Sequence, residues 1–115
     1  MIHNALRLAT GLLALSASTP ALAETRLDTT SSATWRSSIA EMAVECDGQP
    51  RGPCFLKLLE ASKKISQQYF DRYLKGVSGS SPAYQARYKE MEAAKNKEMS
   101  GLTRAELLGR AAALK

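Results

Sequence analysis

Cys46 and Cys54 bracket Asp47-Gly48-Gln49-Pro50-Arg51-Gly52-Pro53, and they are the only 2 cysteines in the chain. That stretch holds two of the 4 prolines and two of the 7 glycines, so it cannot continue a helix. Helix-compatible sequence flanks it on both sides. The stretch therefore reads as a corner between two helices, with Cys46 and Cys54 placed to staple it. The spacing is not that of a Cys-x-x-Cys redox site, and two cysteines supply only half of a structural zinc set. An intrachain bridge is expected; free thiols and a link to another chain are the alternatives.

The compartment implied by a bridge matches the start of the chain. Residues 1–23 have a positive Arg7, an apolar run from Leu6 to Ala17, a break at Pro20 and an Ala21-Leu22-Ala23 cleavage pattern. This is the pattern of a cleaved signal peptide, with a mature protein starting at Glu24 in the periplasm or outside the cell. The whole chain of 115 residues carries a formal net charge of +5. Arg7 leaves with the signal segment, so the mature excess is one smaller. That excess is mild: it permits contact with an anionic surface and gives little support to nucleic-acid binding.

After a polar lead expected to be flexible (24–32), residues 33–115 read as one helical domain. Trp35, Ile39, Met42 and Cys46 share one helical face, and a first helix is expected over about Ala33–Glu45, capped by Ser31 or Ser32. Asp47-Gly48 ends it. Pro53 opens a second helix, expected to run to about Gly76. Its stripe is Phe55, Leu58, Leu59, Ser62, Ile65, Tyr69, Tyr73 and Val77, widened by Leu56, Phe70 and Leu74, which makes it the central element. Ser81-Pro82 starts a third helix with a weaker stripe of Tyr84, Tyr88, Met91 and Met99, interrupted by Lys95. Ser100-Gly101 stops it, and the capping box Thr103-Arg104-Ala105-Glu106 opens a short last helix through Leu107, Leu108 and Ala111. The expected fold is all-α: a small bundle of three main helices and a short C-terminal one, with the disulfide between the first two.

Two ends of the chain carry a resemblance. Leu27-Asp28 with Trp35, Ser38 and Met42, together with Met99-Ser100-Gly101-Leu102-Thr103-Arg104-Ala105-Glu106-Leu107-Leu108, resemble a family of small uncharacterised bacterial envelope proteins. The resemblance implies a helical exported protein, a type often lipid-anchored, and brings no catalytic residue. The chain departs from it in having no lipidation cysteine after Ala23 and in having the Cys46/Cys54 corner.

Catalytic chemistry finds few residues to use. The sole histidine, His3, lies in the signal segment, so the mature chain lacks a side chain that titrates near neutrality. Oxidised cysteines provide no thiolate, and no phosphate loop or metal-ligand cluster is present, so no catalytic residue, metal or cofactor is expected. The carboxylate pairs Glu41/Glu45 and Glu90/Glu92 read as solvated helix faces. The sharper pattern is aromatic. Tyr69 and Tyr73 lie one turn apart on the second helix and Tyr84 and Tyr88 one turn apart on the third. In an antiparallel hairpin they would face each other near its tip, with Arg72 and Arg87 interspersed and pointing outward. These six residues form either a binding surface or a ring-lined closure of the hairpin. The expected function is non-enzymatic binding to another protein in the envelope or outside the cell. The alternatives are an inhibitor or immunity-type protein against an extracytoplasmic toxin or hydrolase, and peripheral contact with anionic lipid.

Overall fold

The computed structural model describes residues 24–114, which form four helices with no strand among them. They are α1 (Ser32–Asp47), α2 (Pro53–Tyr73), α3 (Pro82–Met99) and α4 (Arg104–Ala112). The expected signal segment, residues 1–23 with the Ala21-Leu22-Ala23 pattern, lies outside the described residues. The all-α bundle expected from the periodicity is the observed fold.

α1 starts one residue and ends two residues beyond the expected bounds because its caps are strong. Ser31 Oγ accepts from the Thr34 amide, while Thr34 Oγ1 accepts from the Ser31 amide, a reciprocal box that satisfies two orphan donors. At the other end Gly48 takes the left-handed conformation, φ 77°, and its N–H closes on the Val44 carbonyl.

The corner that follows holds α1 to α2 twice. Cys46 and Cys54 are joined with their Cα atoms 6.5 Å apart. Gly52, at the N-cap of α2, has no side chain, and the cap comes from across the corner: Asp47 Oδ2 accepts the Cys54 amide at 3.0 Å. A Cβ on Gly52 would lie 2.6 Å from that same oxygen, so glycine leaves the carboxylate its place. Reduction of the bridge should lower the unfolding free energy by about 2.5 kcal/mol in the chain-entropy treatment of so short a loop. Thermal melting with and without reductant, followed by helical circular dichroism, checks this. An unchanged midpoint would contradict it, and the helical signal below the transition should persist.

α2 is the central element and packs on each of the other three helices. Its Leu58, Ala61, Ile65 and Tyr69 are buried, as is Leu74 just beyond it. They meet Ile39 and Met42 from α1, Met91 and Met99 from α3, and Leu102, Leu107 and Ala111 at the C-terminal end. The expected widening of this face holds only in part. Leu74 is buried, but Leu56 and Phe70 remain 65% and 40% exposed. The reason is angular. Leu56 projects almost opposite Leu58 and Ile65 on a 3.6-residue helix, and Phe70 projects to one side of them. Cys46 is exposed as well, being taken from the α1 core face into the corner. α2 ends at Tyr73, three residues before Gly76, because the chain turns through Leu74–Gly76 with Gly76 at φ 81°. Ser81 occupies the N-cap of α3, but its hydroxyl makes no cap bond. Pro82 and a Tyr84 N–H to Ser81 carbonyl bond start that helix instead.

The lead 24–32, expected to be flexible, is docked. Leu27 is 2% exposed and belongs to the core. Its amide donates to the Leu102 carbonyl at 2.8 Å and its carbonyl accepts the Gly101 amide at 2.9 Å, a fragment of antiparallel pairing with the α3–α4 connection. Arg26 adds a guanidinium bond to the Gly101 carbonyl, and the Asp28 amide donates to the buried Ser38 hydroxyl. Thr25 bonds Glu45 through both its amide and its hydroxyl. Backbone pairing over a few residues, plus one apolar plug, outweighs the polar composition that suggested disorder.

Candidate functional site

The six residues singled out around the hairpin tip do not form one surface. Tyr69 is buried, Tyr73 and Tyr84 are half-buried, and Tyr88 is 43% exposed. The rings also pair differently from the expectation. Tyr69 stacks along α2 on Tyr73 with centroids 6.4 Å apart, and Tyr84 stacks along α3 on Tyr88 at 6.2 Å. Among the described residues, these i,i+4 pairs run along each helix rather than across the hairpin. The arginines have structural partners too. The Arg72 guanidinium lies 5.0 Å from the Tyr69 ring centroid, covering it as an exposed cation–π lid. Arg87 Nε donates to the Tyr73 carbonyl at 2.8 Å. That carbonyl belongs to the last turn of α2, where a cation also offsets the negative end of the helix dipole. Arg87 is exposed, as expected of an outward-pointing residue, and it also acts as a clasp across the hairpin.

A groove of about 540 Å³ lies beside this hairpin, where α1, α2 and α3 converge. α1 contributes its first turn, with Trp35 and Arg36. α2 contributes Leu59, Ser62, Lys63 and Ser66, and α3 contributes Tyr88, Glu92, Lys95 and Asn96. Leu59, Lys63 and Ser66 are spaced four and three residues apart, so they form one stripe along α2. Phe70 continues that stripe one turn further on. The exposed Phe70 and Tyr88 thus flank the end of the groove.

Trp35 is fixed in the groove wall. Its indole N–H donates to Ser62 Oγ at 2.9 Å, which gives the buried serine and the ring a mutual partner. Lys95, which interrupts the apolar stripe of α3, sits over the same ring, with Nζ 5.5 Å from the centroid. It also pairs with Glu92 at 3.2 Å. The interruption is thus the place where α3 meets α1 through a cation on an aromatic face, an interaction worth about 0.5–1 kcal/mol at a partly exposed site. Thr29 Oγ1 bonds the Asn96 carbonyl and closes the upper edge. Arg36, Lys63 and Lys95 line the groove against one carboxylate, Glu92, which Lys95 already neutralises. The surplus charge there is positive.

Two carboxyls near the docked lead are held below the ordinary carboxylate range. For Asp28 the main cause is the hydrogen bonding of Thr30; for Glu106 it is the Thr103 amide of the capping box. Asp28 holds the Thr30 amide in a local turn and Glu106 closes the capping box of α4, so both ionised carboxylates hold chain geometry. Among the described residues, no group of three or more His, Cys, Asp or Glu is arranged to hold a metal ion, and no helix is long and apolar enough to cross a membrane.

Sequence reasoning missed the groove because its wall is assembled from three helices. Trp35 read as core, Lys95 as an interruption and Phe70 as core widening. A lysine inside an apolar stripe, and an aromatic residue beyond its edge, were the available signals. Comparison with family models, with curated proteins and with solved structures finds no significant match.

Proposed function

We propose that this chain works outside the cytoplasm as a non-catalytic binding protein. It engages another protein through the side of the α2–α3 hairpin on which Phe70 and Tyr88 stand exposed. The observation that carries this reading is that pair of large aromatics, 40% and 43% exposed, at the end of a groove with surplus positive charge. Aromatic anchors beside cationic groups are the composition favoured at the centre of protein interfaces. The Cys46–Cys54 bridge supports an oxidising compartment, where a pair of cysteines persists as a disulfide.

The test is affinity capture of the tagged protein from its native envelope, comparing the wild type with Phe70→Ser and Tyr88→Ala. One partner should be captured in a salt-tolerant complex by the wild type, and each variant should lose upward of about 2 kcal/mol of binding, as interface anchors do. Equal capture by the variants would remove this face from the interaction. A salt-sensitive association with anionic vesicles, with no protein complex, would replace the reading with lipid contact.

A further inference from the structure

We infer that the α1–α2–α3 groove is a docking site for an acidic peptide segment of the partner, one that combines carboxylates with apolar side chains. This rests on the protein-binding reading above and assigns it a ligand chemistry. Three observations converge on it. The groove is lined by Arg36, Lys63 and Lys95, whose only acidic neighbour there, Glu92, is already paired with Lys95. Arg36 and Lys63 are exposed and keep their charges available, so an incoming carboxylate would gain complementarity without breaking a structural contact. The α2 stripe has apolar Leu59 and Phe70 at its ends with Lys63 and Ser66 between them, so one segment lying along it meets both kinds of contact.

An acidic sugar chain would share the charge but fits the remaining surface less well. Sugar rings are held by stacking on open aromatic faces. Here the Trp35 face is under Lys95, its N–H is bonded to Ser62, and Tyr88 is stacked along Tyr84. What stays open is the flank of Leu59 and the single ring of Phe70; one ring offers a sugar chain little stacking, while aliphatic and aromatic side chains can pack on both residues.

Trp35 is the only tryptophan, and it lies in the wall, so its emission reports occupancy directly. The protein is titrated with a pool of blocked hexapeptides randomised over Asp, Glu, Phe, Leu and Ser. The control is the same pool with Lys in place of the acids. The acidic pool should shift Trp35 emission saturably and the basic pool should not. The double variant Arg36→Glu with Lys63→Glu should weaken the acidic-pool response about tenfold or more while keeping the wild-type melting midpoint, since both positions are exposed.

An unmoved emission, an equal response to both pools, or an unaffected double variant overturns the assignment. An oligogalacturonide that shifts emission where the acidic peptides do not also overturns it, in favour of a glycan. If the groove is silent while partner capture still depends on Phe70 and Tyr88, the docking site is wrong and the wider binding reading stands.

Discussion

Replacing Leu27 with alanine should destabilise the protein by about 3 kcal/mol, the lower part of the range for deleting a buried leucine side chain. A domain of this size would then melt roughly 12–24 °C lower. The expectation follows from burial: Leu27 is 2% exposed and packs with the core at the α3–α4 connection. The neighbouring Glu24 is exposed, and Glu24→Ala should leave the midpoint within about 0.5 kcal/mol of the wild type. Denaturant unfolding of the two variants separates them. Wild-type stability in the Leu27 variant would mean that the lead does not belong to the core.

The second large effect divides the tyrosines. Tyr69→Ala should cost about 3–4 kcal/mol, as removal of a buried aromatic ring does, and it should release Arg72 from its stacked position. Tyr88→Ala, at 43% exposure, should cost within about 0.5 kcal/mol. The spacing alone treats Tyr69, Tyr73, Tyr84 and Tyr88 as equivalent; the structure ranks them by depth. Comparable destabilisation in the two variants would show that Tyr88 is part of the closure of the hairpin. Wild-type stability in the Tyr69 variant would remove its ring from the core.

The helices were legible because their ends carry local chemistry. Ser31, Gly48, Pro53, Pro82 and the Thr103–Glu106 box each satisfy or remove an orphan backbone group within a few residues, and such signals need no tertiary context. The corner was legible for the same reason, since Cys46 and Cys54 are neighbours along the chain.

The docked lead was not legible. One leucine among threonines and serines has no period, and its partners at Gly101 and Leu102 lie at the far end of the sequence. The structure brings the two ends of the domain together, with Leu27 paired to Gly101 and Leu102 through the backbone. The groove was hidden for a related reason. Helical spacing places Lys95 and Trp35 on their own helices, but only the packing of both α1 and α3 on α2 sets one over the other.

The pairing of the lead with the α3–α4 connection also orders events in time. Arg26 and Gly101 are separated by 75 positions, and a ribosome releases the first of them long before the second. At usual synthesis rates the interval is about 4–15 s. Throughout it Leu27 has no backbone partner, and α1 and α2 have only contacts of short range to hold them. Non-local closure of this kind carries a larger loop entropy than the hairpins do, so it belongs late on the folding route. The α3–α4 connection, made long after the lead, is therefore what locks the first residues of the domain in place.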